Sequence, residues 1–173
     1  MDSRYYSEFL GRELSRKSTI LQDVIKNPQK VKPIAEILGY LEAYIDMADC
    51  IGSYNWFFDR DALKRVSARF NHHDFRAIDK AKAFCLMHCY SDKVINRNYF
   101  RMIDNLDEVD KSHFMSKSGK NLGYSCEVMA RYCLDDISYK EDHTALKDAR
   151  IEYALATKFA NEYWNDLITS YIG

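Results

Sequence analysis

In Ile51-Gly52-Ser53-Tyr54-Asn55-Trp56-Phe57-Phe58-Asp59-Arg60-Asp61-Ala62-Leu63 the hydrophobic pattern changes within a few residues. The first part, continuous with Asp49 and Cys50, is short, apolar and β-prone with a glycine inside, the signature of a buried strand. From Asp59 to Phe70 the apolar residues Leu63, Val66 and Phe70 align at helical spacing. A buried strand running directly into a helix belongs to an α/β architecture. Asn55 at the strand's end and Asp59 at the helix start then point toward the strand's carboxyl end, where ligands bind in such sheets. Asp59 also suits a plain structural role, as an N-cap or first-turn acid favoured by the helix dipole.

Upstream, Ile34, Ile37, Leu38, Leu41 and Ile45 recur at three-four spacing and predict an amphipathic helix from Lys32 to Ala48. Asn27-Pro28 separates it from residues 3–26, read as one or two short helices with Tyr6, Phe9, Leu10 and Leu14 on one stripe. Downstream, Phe75 to Asp79 is expected to form a second short strand and Lys80 to Tyr90 a helix. Residues 91–120 read as a long polar connection rich in asparagine and serine, and such connections are often functional. Helices are expected from Leu122 to Leu134 and from His143 to Tyr163. Two strands do not make a stable sheet. The expectation is therefore a helix-rich α/β domain whose sheet is incomplete or reduced, or has further strands hidden in the sequence.

The 173 residues suit a single domain able to bury a real core. Within it, residues 1–30 read as a helical N-terminal segment. Lys+Arg 25 against Asp+Glu 26 leaves no global basic field, so a polyanion site has to be local. There is no apolar run of ~18 residues, and Met1 to Lys17 lacks the apolar core of a signal peptide. The odd set Cys50, Cys85, Cys89, Cys126 and Cys133 reads as reduced, buried thiols, and the expected location is cytoplasmic. Cys85-x-x-His88-Cys89 lacks the second pair of a zinc site and reads as core. His72-His73 reads as polar surface.

The chemistry-bearing segment near the C-terminus is His143-Thr144-Ala145-Leu146-Lys147-Asp148-Ala149. On one helix His143 and Asp148 do not share a face. With His143 in the entering loop, it can turn back beside Asp148, where a histidine near a metal-binding acid suits deprotonation of a metal-activated water. The plainer reading makes His143 a helix-start residue and Asp148 a solvated acid. Lys64, Arg65 and Arg69 form a basic face on the helix after Asp59, which with Lys80 and Lys82 suits either phosphate contact or simple solvation. The thirteen tyrosines and nine phenylalanines offer surfaces for base stacking, but most fall at core spacing.

Taken in order, these motifs resemble the DnaQ-like (DEDD, ribonuclease H-like) 3′–5′ exonuclease superfamily. Its second motif is a strand followed by Asn-x-x-Phe-Asp and a helix with leucine four residues on, matched by Asn55, Phe58, Asp59 and Leu63. Its third is His-x-Ala-x-x-Asp-Ala, matched by His143, Ala145, Asp148 and Ala149. Ala77-Ile78-Asp79 is similar to the family's intervening strand-plus-Asp step, and Leu122 to Tyr132 to its helix before the third motif. The resemblance covers roughly residues 20–165, with 31–165 as the exonuclease-like region.

The resemblance implies a metal-dependent nuclease acting on DNA or RNA 3′ ends. Asp59 and Asp148 would ligate Mg²⁺ or Mn²⁺, and His143 would be the general base. Asn55, with Lys64 and Arg65, would position the strand end. One family element is absent: no early strand bearing Asp-x-Glu precedes Asn55. Asp59 and Asp148 alone leave an octahedral ion short of oxygen ligands. The resemblance therefore implies a chain that is N-terminally incomplete, completed by a second subunit or a second copy of itself, or reduced to a non-catalytic module that binds nucleic acid or a protein partner.

Overall fold

The computed structural model of the protein describes residues 26–70, 77–116, 118–141 and 145–172. Contacts divide the chain into two units, Met1–Ile37 and Leu38–Gly173. Except for Lys26, the segment read as helical over residues 3–26 lies outside the described residues. Among its described residues the first unit has a 3₁₀ turn, Pro28–Lys30, closed by the Val31 N–H on the Pro28 carbonyl. A 2.8 Å ion pair joins Lys32 to Glu36.

Helix α1 (Ile34–Met47) matches the amphipathic pattern, with Leu38 and Ile45 buried. Strand β1 (Ile51–Ser53) follows, then α2 (Trp56–Arg69), with Asn55 as its N-cap residue. A single turn α3 (Ala77–Lys80) leads into β2 (Ala83–Cys85). The two strands pair in parallel, with Ile51 opposite Ala83, Gly52 opposite Phe84 and Ser53 opposite Cys85. The β-helix-β crossover expected of an α/β chain is thus present, in a two-stranded sheet. Gly52 is required by close approach: a Cβ there falls 2.6 Å from Cε2 of the Phe84 ring.

Three expectations are corrected. The second strand is not at Phe75–Asp79. Ala77–Lys80 is a helical turn, and the strand lies at 83–85, inside the helix expected over 80–90. A three-residue strand is too short to impose an alternating pattern, and its partner is supplied by β1. Asp79 accordingly stands on a helix, ion-paired with Lys64, and is not a strand-borne acid. Residues 91–120 are not one irregular connection either. After α4 (Leu86–Lys93) come α5 (Arg97–Asp104) and α6 (Glu108–Ser112). Asn96, read as part of the loop, and Asp107 are their caps. Asn96 accepts from the N–H groups of Asn98 and Tyr99, and Asp107 from that of Asp110.

Helix α7 (Cys126–Cys133) is capped by Ser125, and α8 (Ala145–Asp166) runs on into a π-helical turn, Leu167–Tyr171. The α8 stripe Ile151, Leu155 and Phe159 is buried in a core with Tyr90, Tyr99, Phe114 and Met129. Tyr90 donates from its hydroxyl to the Leu155 carbonyl at 2.9 Å, which satisfies the one polar atom its ring brings into the core. All five cysteines are free, and every one but Cys50 is buried. Among the described residues no helix is long and apolar enough to cross a membrane.

Leu155 is fully buried and Tyr153, two residues away, is 74% exposed. Leu155→Ala is expected to lower the unfolding free energy by about 2–5 kcal/mol. Tyr153→Ala should stay within about 0.5 kcal/mol of the parent. Urea titration followed by circular dichroism measures both.

Candidate functional site

The candidate site lies at the carboxyl end of β1. Ser53 closes the strand and donates from its hydroxyl to Asp59 Oδ2 at 2.6 Å, so the first-turn acid of α2 is tied back to the strand. Tyr54 anchors the exit. Its ring is buried, its hydroxyl donates to the Tyr124 carbonyl, and its own carbonyl accepts from the Met87 N–H at 2.9 Å. Asn55 is exposed beyond it. Its carbonyl accepts from Phe58 and Asp59, while its side chain makes no capping hydrogen bond.

Helix α8 brings further acids to the same place. Glu152 comes close to the Tyr54 backbone, which favours its charged form. Burial raises its pKa above the ordinary value, and the negative charges of Asp59, Asp148 and Glu141 push it the same way, against the effect of the Tyr54 backbone. Asp59 and Asp148, one from each sequence motif, thus both add charge to the surroundings of Glu152. Cys126 feels the same field. Burial raises its thiol pKa, and Glu141, Glu152, Asp148 and Glu127 add to that. Among the described residues, the Oδ1 atom of Asp148 is buried without a hydrogen-bond partner.

Sequence reading missed Glu152. The available signal was its spacing: four residues after Asp148 on a helix, it shares that residue's face.

The other expected site residues are placed differently. His143 lies outside the described residues, which resume at Ala145, the first residue of α8. Lys64 is ion-paired with Asp79, which competes with the phosphate contact expected of it. Arg65 is exposed on α2.

The donor set can be tested against the divalent ion implied by the resemblance. Mg²⁺ takes six oxygen ligands in near-octahedral array. Among the described residues no three His, Cys, Asp or Glu side chains are gathered so as to hold a metal ion. One oxygen of Asp59 is already engaged by Ser53. Asp59 and Asp148, as described, do not by themselves fit the ion.

Beside Asp148 runs an open groove of about 590 Å³. Tyr139, Lys140 and Glu141 line it from the loop after α7, and Lys147, Arg150 and Ile151 from α8. Arg131 holds that loop in place. It donates from Nε to the Tyr139 carbonyl at 2.8 Å and pairs with Glu127, whose other oxygen accepts from the Glu141 N–H. The groove thus carries three basic side chains and one acid.

Compared with protein families, with curated proteins and with solved structures, the chain matches none.

The raised pKa of Glu152 has a definite sign. The folded state binds this proton more tightly than the unfolded chain does, so folding is penalised once the unfolded carboxyl ionises. Glu152→Gln removes the charge. It is expected to raise Tm at pH 7, with the gain shrinking as pH falls through the folded-state pKa toward the ordinary value of 4.5. Scanning calorimetry from pH 7 to pH 4 checks this. A gain independent of pH would show that the charge is not its source.

Proposed function

We propose that this chain engages the 3′ end of a nucleic-acid strand at the carboxyl end of β1, as a 3′–5′ exonuclease-like domain of ribonuclease H-like type. The reading rests on Glu152, whose carboxyl pKa is raised by burial and by the charges of Asp59 and Asp148, and on the groove lined by Lys140, Lys147 and Arg150. In this reading the groove follows the phosphate backbone, Tyr139 offers a ring to a base, and Asn55 contacts the terminal nucleotide. The acids sit where the scissile phosphate would arrive, and His143 would take the proton of the attacking water. A metal ion, when bound, would supply charge neutralisation at the phosphate. Its coordination needs ligands beyond Asp59 and Asp148, and a second subunit or a second copy of the chain is one source of them.

One observation favours a second reading, a non-catalytic module that binds nucleic acid or a protein partner. The described residues hold no gathered metal-binding group.

One set of measurements separates the two. With 5′-labelled single-stranded DNA and RNA and Mn²⁺, the exonuclease reading expects stepwise 3′ shortening that Asp148→Ala abolishes. Binding of the same strands without shortening leaves the non-catalytic reading. In gel shifts, Lys140→Ala with Arg150→Ala is expected to reduce the dependence of log affinity on log salt by about 1–1.5. No binding to either strand at low salt defeats nucleic acid as the ligand. A sizing column run alongside reports any dimer.

A further inference from the structure

A second concavity, of about 370 Å³, lies between α7 and α8, away from the end of β1. Its lining includes the buried side chains of Tyr90, Cys133 and Phe159. Tyr132 and Tyr163 also line it, and Asp135, Lys158 and Glu162 bring charges. No hydrogen bond or ion pair with the described residues engages the side chains of Asp135, Lys158 or Glu162. Two carboxylates and one ammonium thus share a lining with the rings of Tyr132 and Tyr163.

The backbone is irregular at this cleft. Among the described residues, Asp135 is the only non-glycine residue with positive φ, at 54°. It follows the C-cap of α7, where the Asp136 N–H bonds back to the Arg131 carbonyl at 3.1 Å. That motif is ordinarily closed by glycine, because a Cβ is disfavoured in the left-handed conformation. An aspartate is kept here at some cost to stability, and its carboxylate borders the cleft. Tyr163 on the opposite wall has non-helical backbone (φ −130°, ψ 36°) inside α8. Both departures from regular backbone fall on one concavity.

The geometry points to a binding site for a small organic ammonium ion, held by the carboxylates of Asp135 and Glu162 among the rings of Tyr132 and Tyr163. Carboxylates supply charge complementarity, and aromatic rings attract a cation that has left water. Lys158 opposes that charge and limits affinity. Nothing in this site depends on the reading of the β1 end.

The test titrates the intact chain with choline and with putrescine by calorimetry. Neutral 3,3-dimethylbutan-1-ol, close in shape to choline, serves as the control. At least one cation is expected to bind saturably, with the neutral alcohol about tenfold weaker or more. Asp135→Gly is expected to raise Tm by about 2–4 °C while weakening the cation several-fold. Should that variant fail to fold, the exposed Glu162→Gln is expected to weaken binding similarly, and Lys158→Met to tighten it. Equal binding of cation and alcohol, or no binding of either cation, overturns the proposal. So does an Asp135→Gly variant that gains stability and binds unchanged, since Asp135 would then be a helix terminator only. Weaker binding in Lys158→Met would overturn it in favour of a zwitterionic ligand.

Discussion

The buried face of α8 is the constraint from which the described sites take their geometry. Ile151, Leu155 and Phe159 lie on one stripe of a 22-residue helix about 33 Å long, and that stripe closes the core against residues of α4, α5 and α7. The Tyr90 hydroxyl bonded to the Leu155 carbonyl and the Lys93–Asp166 pair add directional contacts to what is otherwise apolar packing. With that face fixed inward, the remaining positions of the helix have no freedom left. Asp148 and Glu152 are carried toward the end of β1, and Lys158, Glu162 and Tyr163 toward the cleft beside α7. A small rotation of α8 would empty the core stripe and displace both sets together.

The sheet depends on the same packing. A three-residue parallel pair does not hold itself in water. It persists because helices cover it: Tyr54 is buried and tied to Tyr124, Cys85 is buried, and Met87 bonds back to Tyr54. Against this well-satisfied core, the end of β1 stands out. Burial and the charges of Asp59 and Asp148 oppose ionisation of Glu152 there, and among the described residues an oxygen of Asp148 is buried without a partner. Such local conflict with the rest of the fold is the usual mark of a functional site. Asp135 at its positive φ is a second instance of the same kind.

How much of this was readable in the residues depended on length and period. The helix over 34–47 and the long one from 145 repeat an apolar stripe for several turns, so spacing was enough to find them. The strand at 51–53 was legible because Ile51 and Gly52 interrupt a helical pattern on both sides. The strand at 83–85 was not: Lys80 and Lys82 precede it, and its three residues fit a helix equally well until β1 lies beside them. The short helices at 97–104 and 108–112 were hidden because their polar caps, Asn96 and Asp107, look the same as loop residues when the turns they start are brief.

Local chemistry in the chain established that a strand runs into a helix at Asn55, that an acid stands in that helix's first turn, and that another acid begins the last long helix. These are properties of neighbours in sequence: β-prone residues, capping positions and three-four spacing. Folding alone established that the two acids both add charge to the surroundings of Glu152, and that Asp79 is occupied by Lys64. It also brought Asp135 and Glu162 to one cleft. Most of those relations join residues from separate segments, and they come from packing one helix face into the core, a sum over many weak contacts that no single segment records.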